Sequence, residues 1–321
     1  MRASADLALK LSCAMLILKH FHKRLRMRVT IFGATGLLGK ALVREWASDE
    51  VSGLGSKDAD IRDPQQVLAA VQRTGPEWIV LAAAYTDVDG CESNRELAFA
   101  VNCTGAVNVA QAAKACGSRL LFLSTDYVFD GLSTTPYETD HPRVPQSVYG
   151  KSKADAEEQL IQTLPDCCIV RTSWLFGSGG KCFPDTILKV AATNPEIDVV
   201  DDQRGRPTYA ADLARAIIQL CHKQATGIVH ATNAGDCTWF EFAREIIRDA
   251  GLNTVVRPTT SDKVVRPAKR PKYSVLSAKS RADALEQART ASAEAQGQQN
   301  YKTFSTRTGY QPGNVTMFSG N

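Results

Sequence analysis

Two residues four positions apart carry side chains that suit proton transfer. Tyr149 and Lys153 lie within residues 148–158, and helical spacing places both side chains on one face of a helix. A lysine ammonium near a phenol favours the phenolate, which predicts a Tyr149 pKa lowered from about 10 towards neutral pH. Tyr149 would then suit proton donation to a carbonyl oxygen as hydride reaches the carbon. Since any helix can contain this spacing, the interpretation depends on the surrounding motifs.

A glycine-rich motif near the start of the chain predicts a dinucleotide site. It follows the apolar run 28–32 and precedes the helical stretch 40–47. Glycines let the backbone turn tightly and approach a pyrophosphate, whose charge is held by amide groups and a helix N-terminus. The alternative is a tight strand-to-helix turn without a ligand. The predicted cofactor contacts are Gly33, Thr35, Gly36, Leu37, Leu38 and Gly39.

The stretch after the second predicted strand bears on the choice between NADPH and NADH. That strand is short, residues 51–54, and is followed by Gly-Ser-Lys57. Lys57 could meet a 2′-phosphate, but a solvated surface lysine explains it equally well. Asp60 and Ile61 come next and are predicted to lie beside the adenine. The sequence therefore predicts NADPH or NADH without choosing between them.

A hydroxyl-rich segment follows another predicted strand, residues 119–123. Ser124, Thr125 and Asp126 should lie at the carboxyl edge of a parallel sheet, where open α/β folds place their sites. Taken alone, the segment could equally be a strand exit that caps the next loop. Because it lies between the glycine motif and Tyr149 in chain order, the three motifs together favour a catalytic site.

These motifs require a parallel sheet to position them. Short β-branched runs alternate with helical stretches from residue 28 onwards, which predicts βαβ units and an α/β, Rossmann-type, doubly wound parallel sheet. The strands are predicted at 28–32, 77–81, 119–123 and 168–171, with a helix over 96–116. After residue 177 a smaller α/β substrate-binding lobe is expected, with helices at 209–222 and 239–250. The predicted divisions are an extension (1–26), a dinucleotide-binding domain (27–176), mainly a substrate lobe (177–277) and a divergent, disordered tail (278–321).

Composition excludes some partners. The net charge is +4, from 38 basic and 34 acidic residues spread along the chain, so no nucleic acid is implied. Nine cysteines without C-x-x-C spacing indicate reduced thiols and a cytoplasmic protein. The apolar run 11–18 is too short to span a bilayer, so no membrane partner is expected. The basic start, residues 1–26, is either a transit peptide or a dispensable extension.

Five further stretches follow the glycine motif in a specific order. They are Ala-Ala-Ala-Tyr-Thr-Asp-Val-Asp (82–89), Ser-Thr-Asp-Tyr-Val-Phe-Asp-Gly (124–131), Arg-Thr-Ser-Trp (171–174), Asp-Asp-Gln-Arg-Gly-Arg-Pro-Thr (201–208) and the segment 227–243. This order resembles the dTDP-4-dehydrorhamnose reductase family, within the extended short-chain dehydrogenases/reductases. The resemblance covers residues 27–277.

The resemblance implies a reaction and a set of site residues. The family reduces dTDP-4-dehydro-β-L-rhamnose to dTDP-β-L-rhamnose with NADPH or NADH. It implies that Thr125 hydrogen-bonds the substrate C4 carbonyl, that Tyr149 donates the proton and that Lys153 also holds the nicotinamide ribose. An indole face at Trp174 could pack on a deoxysugar, although a core tryptophan is the alternative. The implied cofactor contacts are Ala82, Ala83 and Ala84, and the implied substrate contacts are Thr86, Val88, Thr125, Asp126 and Trp174.

The chain also departs from the family pattern. Cys182 stands where the family commonly has asparagine, which puts one polar contact in doubt, and the signature stops after Ser277. Some members hold Mg²⁺ at a dimer interface, but the carboxylates would fall in the diverged part, so no metal is predicted. A homodimer is compatible with the resemblance. Two other functions stay open: a regulatory subunit like the β subunit of methionine adenosyltransferase, and a nucleotide-sugar epimerase or dehydratase.

Overall fold

The computed structural model describes residues 26–277. Six parallel strands of this part of the chain form the main sheet, in the order β10-β5-β4-β3-β1-β2. The strands are β1 (Arg28–Phe32), β2 (Glu50–Leu54), β3 (Trp78–Leu81), β4 (Arg119–Thr125), β5 (Cys168–Thr172), β6 (Leu175–Phe176), β7 (Glu196–Val200), β8 (Arg204–Gly205), β9 (Thr208–Tyr209), β10 (Gly227–His230), β11 (Cys237–Thr238) and β12 (Val255–Thr259). The central strands are buried almost throughout, as expected for a parallel sheet covered on both faces.

Helices cover both faces of the main sheet. They are α1 (Leu37–Glu45), α2 (Pro64–Thr74), α3 (Val88–Ser93), α4 (Arg95–Phe99), α5 (Gly105–Cys116), α6 (Val148–Thr163), α7 (Phe183–Ala191), α8 (Ala210–His222) and α9 (Trp239–Asp249). Residues of α2, α5 and α6 pack with one face of the sheet, and residues of α1 and α8 pack with the other. The predicted doubly wound Rossmann-type fold is therefore confirmed.

The observed elements differ from the predicted ones in three places. Helix α1 begins at Leu37 rather than at residue 40, so the end of the glycine motif already belongs to its first turn. Strand β4 continues to Thr125, because Ser124 and Thr125 are buried and pair with β5. The helix predicted over 96–116 is interrupted by a π-helical turn, Ala100–Thr104.

A smaller α/β layer follows residue 177. Strands β7 and β12 pair in parallel, and α7 and α9 pack on them around a separate apolar cluster. Helix α9 begins with a capping box, in which Thr238 and Glu241 each bond the other's backbone amide. Between these elements the chain returns to the main sheet through α8 and β10. The division into a cofactor domain and a substrate lobe remains a prediction.

The ends of the chain lie outside the described residues. The tail after residue 277, which was predicted to be disordered, lies outside them. Nearly all of the basic extension 1–26 lies outside them as well. Among the helices of residues 26–277, none is long and apolar enough to cross a membrane.

Candidate active site

The loop from Gly33 to Gly39, called the glycine cradle below, is shaped by close backbone contacts. The Gly33 and Ala34 amides donate to the Leu54 carbonyl at 2.8 and 3.0 Å, which joins the loop to the end of β2. Gly33 has φ +87°, and a Cβ there would lie 2.5 Å from the Ala83 amide nitrogen. A Cβ on Gly39 would collide with the Gly33 carbonyl oxygen. These two positions therefore require glycine for the loop to pack between β1, β3 and α1.

The N-terminus of α1 suits an anion. Gly36 is the N-cap, no side chain caps the helix there, and its first turn holds no acidic residue. The first amides of a helix have no partners within it and lie at the positive end of its dipole. A pyrophosphate placed there would receive donors and meet no side chain at Gly36, so the residues present fit a dinucleotide.

The residues predicted near the adenosine have contacts within the protein, which the structure describes. Thr35 contacts the Gly55 position after β2, where a Cβ would lie 2.9 Å from the Thr35 methyl carbon. Asp60 pairs with Arg62, whose hydrogen bonds hold the Asp60 pKa below its usual value. Ile61 is buried beside Gly105 at the start of α5, and Lys57 is exposed. Contacts of these residues with a cofactor remain predictions.

Thr125 and Tyr149 meet at the carboxyl end of β4. Ser147 caps α6 by accepting the Gly150 amide at 3.1 Å, which places Tyr149 in the first helical turn. A side chain at Gly150 would collide with the Tyr127 carbonyl oxygen, so α6 sits directly against the turn that follows β4. The Tyr149 phenol lies close enough to the Thr125 hydroxyl for that hydroxyl to influence its pKa. The structure thus brings together two members of the predicted catalytic set.

Burial changes the expected protonation of Tyr149. Its pKa is raised, first by burial and then by the charge of Asp126, while the Thr125 hydroxyl opposes the rise. The predicted lowering of this pKa by Lys153 is therefore wrong, because desolvation of the phenolate and the charge of Asp126 both raise it. Tyr149 is protonated at neutral pH, the state in which a proton donor must start.

Lys153 lies one turn further along α6 and is almost completely buried, at 2% exposure. Its Nζ lies 3.9 Å from the centroid of the Phe122 ring, a cation–π contact. Burial lowers the pKa of Lys153 to about 7, while the charges of Glu157 and Cys103 oppose the shift. The lysine can therefore exchange a proton near neutral pH, a property that spacing alone did not predict.

Asp126, the residue after β4, is buried next to this pair. Its Oδ1 accepts the Thr125 hydroxyl at 2.9 Å. Burial raises the pKa of Asp126 to about 6, against the opposing hydrogen bond with Thr125. Contact between this carboxyl and a substrate remains a prediction.

Asn102 is a site residue that the sequence did not reveal. It is buried in the π-helical turn, accepts the Tyr85 amide at 2.8 Å and donates to the Tyr85 carbonyl at 3.1 Å. It also donates to the Ser152 hydroxyl at 3.0 Å. One side chain thereby joins the exit of β3 to α6. An asparagine inside a predicted helix, where this residue is unfavourable, was the available signal.

Trp174 lies between β5 and β6, stacked on a second tryptophan. The rings of Trp174 and Trp239 are parallel within 6° with centroids 3.5 Å apart. Trp174 has φ +46°, which is strained for a bulky residue, and Gly205 packs against its ring with no room for a Cβ. Trp239, which sequence reasoning missed, covers one indole face. A contact between a sugar and the parts of the Trp174 ring that Trp239 does not cover remains a prediction.

The other predicted substrate residues lie at the exit of β3. Thr86 is exposed, and Val88 is the first residue of α3. The Ala82 amide donates to the Phe32 carbonyl at 2.9 Å, so residues 82–84 run beside the glycine cradle. Cys182, the departure from the family, is the N-cap residue of α7, and its thiol donates to Asp185 at 3.2 Å. Within residues 26–277, no group of three or more potential ligands is arranged to hold a metal.

The fold places a dinucleotide cradle at the end of β1 and a tyrosine on α6, beside the ends of β4 and β5. This is the arrangement of short-chain dehydrogenases/reductases. The comparisons with known proteins narrow this class. The family model described as the RmlD substrate binding domain matches residues 27–298, beyond residue 277, where the resemblance had been expected to stop. The chain belongs to this family.

Individual relatives agree with this assignment. The chain is 44% identical over 260 residues to a dTDP-4-dehydrorhamnose reductase of Streptomyces griseus, covering 78% of this chain and 86% of the relative. It is 43% identical over 256 residues to a probable dTDP-4,6-dihydroxy-2-methyloxan-3-one 4-ketoreductase of Streptomyces antibioticus, with coverages of 78% and 86%. A crystal structure of dTDP-4-dehydrorhamnose reductase from Bacillus anthracis in complex with NADP matches with a TM-score of 0.78 and 37% identity, covering 83% of this chain and 99% of that one.

Two glycine substitutions should distinguish the role of the cradle in folding from its role in cofactor binding. Gly36→Ala should keep the fold, because Gly36 has φ −76° and an added Cβ would lie 3.4 Å from its nearest neighbour, the Gly33 carbonyl oxygen. The new methyl group should instead weaken NADPH binding by about tenfold or more. Gly39→Ala should lower the free energy of unfolding by about 2 kcal/mol or more, because the Cβ collides with backbone.

Urea unfolding and calorimetric titration with NADPH measure both effects. Full NADPH affinity in Gly36→Ala would show that the pyrophosphate is not held at this helix end.

Proposed function

We propose that the protein reduces the 4-keto group of dTDP-4-dehydro-β-L-rhamnose to give dTDP-β-L-rhamnose, using NADPH or NADH. The observation that carries the proposal is the position of the part-buried Tyr149 phenol, in the first turn of α6 and beside Thr125 at the end of β4. A ketone reduction needs a proton donor of this kind, because the carbonyl oxygen gains a proton as the carbon gains hydride. Membership of the family supports the same reaction.

Each predicted site residue would have a role that follows from its position. The glycine cradle and residues 82–84 would hold the dinucleotide, which when bound supplies the hydride. Thr125 and Tyr149 would both bond the C4 carbonyl oxygen, so that Thr125 orients the ketone and Tyr149 gives it a proton. Lys153, with a pKa near neutrality, would bond the nicotinamide ribose and return a proton towards Tyr149. Asp126, Thr86, Val88 and Trp174 would contact the sugar nucleotide.

A second substrate has a specific observation in its favour. The relative from Streptomyces antibioticus is named as a 4-ketoreductase of a different dTDP sugar, and its identity to this chain is within one percentage point of that of the Streptomyces griseus enzyme. The shared chemistry is a dTDP-linked 6-deoxy-4-keto sugar. Rhamnose is the proposed product because the motifs 171–174 and 201–208 resemble those of the rhamnose enzymes.

The cofactor and compartment follow from fewer observations. A relative crystallised with NADP supports a nicotinamide cofactor, and the exposed Lys57 after β2 leaves NADPH and NADH both in the proposal. The eight cysteines within residues 26–277 are free thiols, which supports a reducing compartment such as the cytoplasm.

A substrate matrix tests the proposed reaction. The purified protein is combined with NADPH or NADH and with one of two separately prepared dTDP-linked 4-keto sugars, and the absorbance of the reduced cofactor is followed. The two sugars are the 4-dehydro-L-rhamnose form and the 4,6-dihydroxy-2-methyloxan-3-one form named for the second candidate. We expect kcat/KM to be at least about tenfold higher for the rhamnose precursor. Equal or greater turnover of the other sugar would move the assignment to it.

Two further results would contradict reduction altogether. The first is no loss of absorbance with either sugar. The second is isolation of the protein as a stoichiometric complex with an adenosyltransferase, without turnover of either sugar, which would favour the regulatory alternative.

Replacing the proton donor tests the role of Tyr149. Tyr149→Phe should reduce kcat by about 100-fold or more, because proton transfer by a positioned acid contributes about 10² to 10⁴. NADPH affinity should stay close to that of the parent, measured by titration. Tyr127→Phe is the matched control, since that neighbouring phenol packs edge-on to Tyr149 at 5.9 Å and should change kcat little. Equal losses in the two variants would remove the assignment.

A further inference from the structure

A carboxylate is completely buried one turn beyond Lys153. Glu157 is 0% exposed and lies four residues after Lys153 on the same face of α6. The Ser124 hydroxyl donates to its Oε1, and Arg143 Nη1 lies 3.3 Å from its Oε2. An isolated carboxylate in such a place would be strongly unfavourable, so its partners must compensate for the lost solvation.

Arg171 on β5 supplies most of that compensation. Its guanidinium is 1% exposed and binds both Glu157 oxygens, with Nη2 to Oε2 at 2.7 Å and Nε to Oε1 at 3.0 Å. Burial raises the pKa of Glu157, but the hydrogen bonds and charge of Arg171 outweigh it, so the pKa is lowered and Glu157 stays ionised. The planar fork of arginine fits a carboxylate in this two-point geometry, which lysine cannot reproduce.

Further contacts fix the direction of the guanidinium. Nη1 donates to the Thr139 carbonyl at 2.9 Å, and the guanidinium carbon lies 5.0 Å from the Phe129 ring centroid. The His230 ring nitrogen Nε2 lies 3.5 Å from Nη1. Burial and the Arg171 charge lower the His230 pKa to about 4, so this histidine is neutral around pH 7. The pair is therefore held on all sides.

The elements that the pair joins are the ones that carry the catalytic residues. Glu157 belongs to α6, which carries Tyr149 and Lys153. Ser124, bound to the same carboxylate, precedes Thr125 in β4, and Arg171 pairs with Ser124 in the register of β4 and β5. The contact between the Tyr149 phenol and the Thr125 hydroxyl spans the same gap between α6 and β4. A shift of α6 along β4 would break both connections.

We propose that Glu157 and Arg171 are positioning residues for the reduction, holding α6 against β4 and β5 so that Tyr149 and Lys153 stay in register with Thr125. This inference rests on the proposed function, since it assigns these residues to the same reaction. Neither residue touches the reacting atoms, and both act through the helix.

The pair also affects the charge of the lysine. The ionisable groups that face Lys153 are Glu157, from its own helix, and Cys103, from the π-helical turn. Burial raises the Cys103 pKa, so that group is a neutral thiol near pH 7. The Glu157 charge therefore opposes the loss of the Lys153 proton. Without that charge the Lys153 pKa should fall further, and activity that needs a protonated lysine should be lost at a lower pH.

Two conservative variants separate position from charge. Glu157→Gln keeps the shape and an acceptor for Ser124 but removes the charge, so kcat should fall about tenfold and the alkaline limb of the pH profile should move to lower pH. Arg171→Lys keeps the charge but loses the two-point fork, so kcat should fall by a similar factor while the alkaline limb stays in place. The KM for NADPH should change less than kcat in both, because the glycine cradle, which would hold the pyrophosphate, is untouched.

A matched control shows whether loss of stability alone would lower kcat. Arg215→Lys makes the same replacement in a part-buried arginine of α8, which pairs with Asp212 of the same helix and with Glu45 of α1, the latter at 2.9 Å. This control should lower the melting temperature but leave kcat within about twofold of the parent. If Glu157→Gln and Arg171→Lys fold and also keep kcat and the pH profile of the parent, the proposal is wrong. A loss of kcat in Arg215→Lys equal to that in Arg171→Lys would overturn it as well.

A structural readout separates this inference from the proposed function. If the parent turns over neither dTDP sugar, the proposed function fails, but crystal structures of the parent and Arg171→Lys still compare the distance between the Tyr149 phenol and the Thr125 hydroxyl. We expect this distance to be longer in the variant. An unchanged distance would overturn the positioning role on its own, and unfolding of the variant at 25 °C leaves Glu157→Gln to decide by the same measurement.

Discussion

The contact between α6 and the ends of β4 and β5 is the constraint on which the site depends. Helix α6 carries Tyr149 and Lys153, whereas Thr125 comes from the sheet, so the proposed catalytic set exists only while these elements are docked. The buried pair of Glu157 and Arg171 lies in this contact. Buried ion pairs add little net stability compared with apolar packing, and a role in alignment gives a reason for placing two charges here.

The same docking explains the protonation states. Packing α6 onto the sheet removes solvent from Tyr149 and Lys153, which favours the neutral form of each. The phenol then keeps its proton, as reduction of a ketone requires, and the Lys153 pKa approaches neutrality. The docking of α6 therefore both positions Tyr149 and Lys153 and shifts their pKa values. The glycine cradle is set by a separate constraint, the close backbone approach of Gly33 to Ala83.

Those features that depend on local pattern could be predicted from the sequence. Short β-branched apolar runs identified β1, β3, β4 and β5, and the glycine spacing after β1 identified the cradle. Tyr149 and Lys153 were placed on one helix, which α6 confirms. The family resemblance supplied the substrate class and the cofactor, which no periodicity reveals.

Features that depend on tertiary contacts could not be predicted. The direction of the Tyr149 pKa shift depends on burial depth, which spacing does not determine. The stack of Trp174 on Trp239 joins residues 65 positions apart, and Asn102 joins the exit of β3 to α6 across a similar separation. Residues 227–230 form a short apolar run that gives no sign of which sheet it joins, although it becomes the edge strand β10.

The central claim is that hydride reaches the sugar C4 at a site where Tyr149 protonates the oxygen. The most direct measurement is the fate of deuterium from NADPH deuterated at the transferable position, with dTDP-4-dehydro-L-rhamnose as the acceptor and the product examined by NMR. The account predicts deuterium at C4 of the product, on one face only. A product without deuterium at C4, or with the label divided between two stereoisomers, would contradict it.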